Sequence, residues 1–263
     1  MDIDLRDRAA LVTGGGRGIG RATAQALAAA GARTIVTARG RTELESVVAG
    51  IAASGGEALA IPADISQPDA VRRLFERAGP VDILVNNAGI IQPIAPVAAS
   101  DPETWLRNIE INLYGVFLTC HHALPGMLER GWGRIVNVSS GAARGTTEGW
   151  SAYSAAKAGV ESFSSVLARE VDRYDIHVNA VRPGIVDTEM QVEIRSSSEE
   201  AFGRQNVERF RGYKERGLLR SPDDPARLIL WLLGPAADAI NGEVLAIDDP
   251  DVAQRVGLEP MGR

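Results

Sequence analysis

The chain has 263 residues, and 45% of them are hydrophobic, which fits one α/β domain with a large core and excludes a disordered chain. The net charge of −6 argues against an extended nucleic-acid-binding surface. Cys120 is the only cysteine, so no intrachain disulfide can form, and the charged N-terminus lacks the apolar core of a signal peptide. The longest wholly apolar run, 228–233, is too short to cross a bilayer. We therefore expect a cytoplasmic protein.

Short apolar runs alternate along the chain with longer amphipathic segments. The apolar runs predict seven strands, at 9–13, 33–37, 58–61, 82–86, 133–138, 176–181 and 243–247. The segments between them predict helices near 18–30, 41–54, 68–78, 103–128, 151–174 and 223–233. Such alternation implies a mainly parallel sheet with right-handed crossovers. We predict a single α/β domain over 1–263, a Rossmann-type, doubly wound, seven-stranded sheet with helices on both faces.

A glycine-rich turn, T-G-G-G-R-G-I-G at 13–20, separates the first predicted strand from an Ala-rich helix. Strand, glycine turn and helix form the context in which a glycine motif holds a phosphate group. Glycine lets the backbone approach a pyrophosphate, and the helix N-terminus directs free N–H groups at its charge. The spacing differs from the common G-x-G-x-x-G, but the context favours a nucleotide site over an ordinary turn.

The end of the second predicted strand bears on the choice of cofactor. An acidic residue there would accept a hydrogen bond from the adenosine ribose and select NAD, whereas an arginine accommodates a 2′-phosphate. The chain has Ala38 and Arg39 at this place, and Arg17 in the glycine turn is a second cation. Both arginines could instead be ordinary solvated side chains. The missing acid and the two cations favour NADPH/NADP+ over NADH.

One polar and charged stretch with weak helical spacing, 187–220, interrupts the alternation of strands and helices. It follows the carboxyl end of a predicted strand, and an insertion at that place lies over the ligand crevice of an open α/β sheet. We predict a substrate lid near 188–220. A plain surface excursion is the alternative.

Tyr153 and Lys157 lie four residues apart in Y-S-A-A-K, and Ser140 lies thirteen residues before Tyr153 at the end of a predicted strand. Residues four apart share a helix face, so the Lys157 ammonium can approach the Tyr153 phenol. A nearby cation lowers the pKa of a phenol, which lets it exchange a proton near neutral pH. Alone, the motif could be a solvated helix surface, and Ser139 is as polar as Ser140.

Five ordered motifs between Leu5 and Asp248 resemble those of the short-chain dehydrogenase/reductase family. They are the glycine turn, N-N-A-G at 86–89, Asn112 with Ser140, Y-S-A-A-K, and R-P-G-I-V-D-T at 182–188. The resemblance implies an oxidoreductase that uses a nicotinamide cofactor and acts on a small carbonyl substrate.

The resemblance also implies a role for each residue of a catalytic tetrad. Ser140 would hold the substrate carbonyl, and Tyr153 would donate its proton. Lys157 would bind the nicotinamide ribose and lower the Tyr153 pKa, while Asn112 would position a relay water. The thirteen-residue spacing alone selects Ser140 over Ser139.

The implied cofactor-binding residues begin with the glycine turn and end with the P-G motif. Besides Tyr153 and Lys157 they are Gly14, Arg17, Gly18, Ile19, Gly20, Arg39, Asp64, Ile65, Asn87, Ala88, Gly89, Pro183, Gly184, Val186 and Thr188. Asp64 has two interpretations that the sequence leaves open. It would meet the adenine, or it would be an ordinary N-cap for the helix that begins near Pro68.

Details within the family resemble the sepiapterin reductases and the microbial benzil reductases, which reduce carbonyls with NADPH. These details are G-W-S-A-Y at 149–153, the segment 186–191 and an ending without D-G-G. The narrower resemblance implies an aromatic or vicinal dicarbonyl substrate. The residues expected to contact it are Ser140, Ala142, Trp150, Tyr153 and Asp248, in a pocket also lined by Ile94, Arg144, Ile185 and the lid.

Two other functions remain open. A 3-oxoacyl-thioester reductase, or another alcohol dehydrogenase of the family, is the first, and the absent D-G-G weighs against it. A catalytically silent nucleotide-binding regulator is the second, and the intact tetrad weighs against that. The helices near 103–128 and 151–174 resemble those of the family's four-helix interface, which implies a homodimer or homotetramer. His121 and His122 face different ways on a helix, and no Cys, Asp or Glu set completes a site, so we expect no metal. The negative net charge and the short apolar runs lead us to expect no nucleic-acid and no membrane partner.

Overall fold

The computed structural model describes residues 3–259, which form one seven-stranded sheet in the order β3-β2-β1-β4-β5-β6-β7. All neighbouring strands are parallel. The strands are β1 (Ala9–Thr13), β2 (Arg33–Thr37), β3 (Ala58–Ala60), β4 (Ile83–Asn86), β5 (Trp132–Val138), β6 (Asp175–Arg182) and β7 (Val244–Ala246). The predicted α/β fold is confirmed, and each predicted strand end is correct to within about one residue.

Helices cover both faces of the sheet. They are α1 (Gly18–Ala29), α2 (Arg41–Ala53), α3 (Pro68–Ala78), α4 (Pro102–Ile109), α5 (Gly115–Arg130), α6 (Ser151–Glu170), α7 (Glu189–Arg195), α8 (Glu199–Phe202), α9 (Arg204–Glu215), α10 (Asp223–Trp231) and α11 (Pro250–Arg255). The helix predicted near 103–128 is interrupted, because a π-helical turn at Glu110–Tyr114 joins α4 to α5. Single π-turns inside helices occur often at functional sites, and this one contains Asn112.

Two apolar clusters cover opposite faces of the sheet because side chains alternate along a strand. Val12 of β1 packs in the same cluster as Leu27 of α1 and Ile229 of α10. Leu11, the preceding residue, belongs to the other cluster with Met127 of α5. Both faces of the central strands are therefore buried, which explains why these strands are continuous apolar runs in the sequence.

The stretch 189–215 folds into α7, α8 and α9. Phe202 of α8 and Phe210 of α9 are buried against Trp150, which precedes α6. A few large side chains hold these helices, so their apolar spacing in the sequence is weak.

Within residues 3–259, no helix is both long enough and apolar enough to cross a membrane. In the same part of the chain, no cluster of three or more His, Cys, Asp or Glu side chains is arranged to hold a metal ion. His121 stacks on Phe117 and His122 stacks on Phe75, so the two rings lie against different neighbours.

Candidate functional site

A cleft of about 840 Å³ opens at the carboxyl ends of the central strands. The strand order reverses between β1 and β4, and this switch point is where open α/β sheets bind their ligands. Of the predicted catalytic, cofactor-binding and substrate-contact residues, Gly20 and Asn112 lie outside the cleft wall, and the others line it. The fold thus brings together the glycine turn, the Y-S-A-A-K helix and the P-G turn.

The glycine turn between β1 and α1 leaves no room for a side chain at Gly14 or Gly20. Gly14 and Gly18 have φ values of 63° and 51°, in the left-handed region that favours glycine. A Cβ on Gly20 would lie 2.2 Å from the Gly14 carbonyl oxygen. Asn87 Nδ2 closes the turn by donating to the carbonyl oxygens of Thr13 at 3.0 Å and Gly14 at 3.1 Å. Bare backbone beside the N-terminus of α1 fits a pyrophosphate group.

Thr13, which was not predicted as a site residue, holds two segments of the site together. Its Oγ1 accepts hydrogen bonds from the backbone N–H groups of Asn87 at 3.0 Å and Ala88 at 3.1 Å. These bonds join the end of β1 to the N-N-A-G segment after β4. The available signal was its position directly before Gly14 at the end of a buried strand.

The end of the cleft beside β2 and α2, where the sequence predicts the adenosine end, carries two cations and one acid. Arg17 and Arg39 are both exposed side chains on the cleft wall, and Ala38 lies beside them. Glu43, in the first turn of α2, also lines this end and was not predicted. A carboxylate here faces the same region as the two arginines, so their combined positive charge is partly offset.

Asp64 follows β3 and lines the cleft, and its carboxylate forms hydrogen bonds and an ion pair with neighbouring residues. Its Oδ1 accepts from the Ser66 backbone N–H at 3.0 Å, and its Oδ2 forms an ion pair with Arg107 of α4. The N-cap of α3 is Gln67, so the interpretation of Asp64 as the cap of that helix is wrong. Asp64 instead anchors α4 beside the adenosine end.

Lys157 and Tyr153 share the cleft-facing side of α6, but the ammonium is held by a backbone carbonyl. Lys157 Nζ donates to Val138 O at 2.7 Å and lies 5.7 Å from the centre of the Tyr153 ring. Burial lowers the pKa of Lys157 to about 8. Burial also raises the pKa of Tyr153, and hydrogen bonding with the Ser140 side chain acts in the opposite direction.

The prediction that Lys157 lowers the pKa of Tyr153 is therefore wrong for this arrangement. Burial raises the pKa of the Tyr153 phenol, and the Lys157 ammonium, which is directed at Val138 O, is not among the groups that lower it. Tyr153 is consequently protonated at neutral pH, and a protonated phenol beside the Ser140 hydroxyl can donate to a substrate oxygen.

Asn112 is fully buried in the π-turn, behind the cleft wall. Its Nδ2 donates to Ile90 O at 2.9 Å and to Asn108 Oδ1 at 2.8 Å, while its Oδ1 accepts from Ile90 N at 3.3 Å. A Cβ on Gly89 would lie 2.6 Å from Asn112 Oδ1 and 3.6 Å from Lys157 Nζ. Gly89 thus allows these two polar side chains to approach each other.

Aromatic side chains form the substrate end of the cleft. The Trp150 ring stacks on Phe202 at 5.3 Å between ring centres and meets the edge of Tyr153 at 5.9 Å. Of the residues predicted to line this pocket, Ile94 and Arg144 lie outside the cleft wall. Ile94 is buried in the cluster around Trp150, and Arg144 is exposed. The lid supplies lining residues that were not named from the sequence: Met190, Gln191, Ile194, Arg209, Phe210 and Tyr213.

Asp248 lines the cleft, but its carboxylate is already paired. Its Oδ1 accepts from Arg220 Nε at 3.0 Å and lies 2.9 Å from Arg220 Nη2. Arg220 is almost fully buried and also lies 3.7 Å from Asp224. The predicted substrate contact of Asp248 would therefore be made by a carboxylate that is already paired with a buried guanidinium.

Comparisons with known proteins agree with this geometry. A profile described as short chain dehydrogenase matches residues 8–199. A 3-oxoacyl-[acyl-carrier-protein] reductase of Synechocystis sp. is 37% identical over 250 residues, which cover 93% of this chain and 96% of that protein. The crystal structure of an actinorhodin polyketide ketoreductase variant with NADPH is 35% identical, with a TM-score of 0.82, and the match covers 91% of this chain and 95% of that one.

Levodione reductase has a TM-score of 0.84 at 32% identity, and the match covers 95% of this chain and 99% of that one. These relatives are named 3-oxoacyl reductases, ketoreductases and a levodione reductase, so they do not support the narrower resemblance to sepiapterin and benzil reductases. The profile match and the identity over nearly the whole chain decide the family. The chain belongs to the short-chain dehydrogenase/reductase family of NAD(P)-dependent oxidoreductases, which interconvert CH–OH and C=O groups.

Proposed function

We propose that this chain is an NADPH-dependent ketoreductase and that its leading substrate class is the 3-oxoacyl thioesters. The observation that carries the proposal is the arrangement of Tyr153, Ser140 and Lys157 along one wall of the cleft that begins at the glycine turn. A proton donor beside a second hydroxyl suits reduction of a carbonyl whose oxygen both can contact.

The cofactor would lie along the cleft from the glycine turn to the P-G turn. The N–H groups at the start of α1 would hold its pyrophosphate, and Arg17 and Arg39 would hold a 2′-phosphate. Pro183, Gly184 and Thr188 also line the cleft, with Thr188 beside Gly18, and would enclose the nicotinamide. Bound NADPH would supply the hydride, and the protein would supply orientation and electrostatics.

The chain's own catalytic groups would act on the substrate oxygen. The Ser140 hydroxyl would hold that oxygen, and the Tyr153 phenol would give it a proton. Lys157 has a pKa of about 8, so its ammonium is mostly charged at neutral pH and can bind a ribose hydroxyl. Asn112, held rigidly behind Gly89, would support a water that returns a proton to the site.

The printed names of the relatives support 3-oxoacyl thioesters as the substrate class. The lid adds apolar lining from Met190 and Ile194, which suits an acyl chain, and Arg209 lies at the same wall. An aromatic or vicinal dicarbonyl, as in benzil-like substrates, is the second candidate. The flat rings of Trp150, Phe210 and Tyr213 at this end favour it.

The helices α7 to α9 would act as the lid over the substrate. Lys214 of α9 forms a 2.7 Å ion pair with Asp187 of the P-G motif, which fastens the lid to the cofactor turn. An exposed apolar stripe on α5 and α6 supports a homodimer or homotetramer. It contains Phe117, which stacks on Tyr114 and meets the edge of Phe163.

A screen of NADPH oxidation with the purified protein tests the proposal. The substrates are an acetoacetyl thioester, benzil, phenylpropanedione, sepiapterin and diacetyl, and Tyr153→Phe is the control for enzyme-dependent turnover. We expect the highest kcat/KM with the thioester. A preference for benzil would favour the second candidate, and failure to reduce any carbonyl despite NADPH binding would refute the ketoreductase proposal.

A further inference from the structure

Glu161 lies one helical turn after Lys157 on α6, and its carboxylate joins two strands of the sheet. Its Oε1 accepts from Ser139 Oγ at 2.7 Å and from Arg182 Nε at 2.7 Å. Its Oε2 accepts from Arg182 Nη2 at 2.6 Å. The Glu161 and Arg182 side chains are only 12% and 13% exposed, so this two-pronged ion pair is largely desolvated.

The three connected elements each carry a different part of the site. Ser139 directly follows the last residue of β5 and directly precedes Ser140. Arg182 is the last residue of β6 and directly precedes the Pro183–Gly184 turn. The helix α6, which carries Glu161, also carries Tyr153. One carboxylate therefore sets the distances among the proton donor, the second hydroxyl and the cofactor turn.

Both Ser139 and Ser140 line the cleft, and the same contact commits the hydroxyl proton of Ser139 to Glu161. Successive side chains in extended backbone point to opposite sides. The Ser139 hydroxyl is directed toward α6, where it donates to Glu161 and also lies 3.4 Å from Lys157 O. The neighbouring Ser140 Oγ accepts from the Ala142 N–H at 3.1 Å, so its hydroxyl proton is not committed to Glu161.

A buried ion pair contributes little net stability, because desolvation of both charges offsets most of their attraction. Its geometric effect is larger, since a misplacement of about 1 Å in an active site can cost a factor of about 100 in rate. Glu161 itself lies outside the cleft wall, so its effect on the reaction passes through the residues that it holds.

We propose that Glu161 is a positioning residue that fixes Ser140 and the Pro183–Gly184 turn relative to Tyr153. The inference rests on the proposed ketoreductase function. Glu161 would contact neither substrate nor cofactor, and its ion-pair partner Arg182 would share the positioning role.

The test compares Glu161→Gln with Asp82→Asn. Asp82 is a matched control because it is also buried, pairs with Arg130 at 3.0 Å and accepts from the Ala9 N–H at 2.9 Å, at the opposite end of the sheet. We expect both variants to lose thermal stability. Only Glu161→Gln should lower kcat, by about tenfold or more, with little change in KM for the carbonyl.

Two further kinetic measurements separate positioning from general destabilisation. With NADPH deuterated at the transferred position, the isotope effect on kcat should increase in Glu161→Gln, because the chemical step becomes slower. Glu161→Asp keeps the charge with a shorter reach and should recover part of the lost kcat. If Glu161→Gln matches either the wild type or Asp82→Asn in kcat, the inference is wrong.

Hydrogen exchange gives a measurement that needs no substrate. In Glu161→Gln, amide exchange should accelerate at 139–142 and 184–186 while β1 and β2 keep wild-type protection. Uniform acceleration would show a purely structural role and would overturn the inference. If the wild type reduces no carbonyl, the proposed function fails, and the exchange pattern still decides whether Glu161 holds these two segments.

Discussion

Replacing Gly20 by alanine tests the glycine turn directly. The added Cβ would lie 2.2 Å from Gly14 O and 2.5 Å from Asn87 Nδ2, and these two atoms form the hydrogen bond that closes the turn. Overpacking costs about 1–3 kcal/mol, and a broken hydrogen bond costs about 1 kcal/mol more. Gly20 lies in the first turn of α1, so the helix propensity of alanine returns up to about 1 kcal/mol.

The net loss in the free energy of unfolding is therefore roughly 1–3 kcal/mol, or a fall in Tm of roughly 2–12 °C at about 2–4 °C per kcal/mol. The displaced turn should also weaken NADPH binding by about tenfold or more, since phosphate contacts from backbone N–H groups are charge-assisted. Thermal unfolding followed by circular dichroism and fluorescence titration with NADPH measure these two effects.

Gly50→Ala is the control, because we expect it to raise the free energy of unfolding instead of lowering it. Gly50 is exposed inside α2, and its nearest neighbour to a new Cβ is Gln25 Nε2 at 3.9 Å. Alanine there should stabilise by about 0.5–1 kcal/mol and leave NADPH affinity unchanged. A Gly20→Ala protein with wild-type Tm and wild-type NADPH affinity would refute the steric argument and the assignment of the turn.

Three other predictions concern the catalytic and cofactor residues. Tyr153→Phe should reduce kcat by at least about 100-fold while NADPH affinity stays near the wild-type value, because only the proton donor is lost. Ala38→Asp combined with Arg39→Leu should shift the ratio of kcat/KM values from NADPH toward NADH, because a 2′-phosphate loses a cation and meets a carboxylate. The pKa of Lys157 falls from 10.5 to about 8 on folding, so the unfolded chain holds the extra proton between these pH values. The resulting penalty of about 3 kcal/mol is present below pH 8 and is relieved as the pH rises to 10.5. From pH 7 to pH 10.5, the free energy of unfolding of the wild type should therefore gain up to about 3 kcal/mol relative to Lys157→Met.

Each of these predictions has a result that would contradict it. Near-normal turnover by Tyr153→Phe would remove that residue from the role of proton donor. Equal kcat/KM for NADPH and NADH in the unmutated enzyme would remove the basis for the cofactor assignment. A difference in unfolding free energy between Lys157→Met and the wild type that does not change with pH would show that burial does not shift the Lys157 pKa.

The fold could be predicted because its signals are local. Each buried strand is a short apolar run such as 9–13, and each covering helix has its own spacing, so no distant contact is needed to recognise them. The prediction was less accurate where a short segment depends on tertiary contacts. The stretch 189–215 forms helices because Phe202 and Phe210 pack on Trp150, which is far away in the sequence.

The members of the candidate site could also be named from the sequence, since motif spacing places their elements at one edge of the sheet. Their partners could not be named. Asp248 forms an ion pair with Arg220, Lys157 donates a hydrogen bond to Val138 O, and Ser139 donates one to Glu161. Each of these contacts joins segments that are separated along the chain. The pKa shifts of Lys157 and Tyr153 could not be predicted either, because both arise from burial in the folded protein.

The sequence by itself therefore determined the parallel sheet, the glycine turn and the residue types available for proton transfer, because periodicity and spacing are properties of the chain. The tertiary structure decided which serine hydroxyl is committed to a carboxylate, which carboxylates are already paired and which way each pKa moves. Hydrogen bonds across strands and the desolvation of a side chain depend on what is packed around it, and that environment exists only in the folded protein.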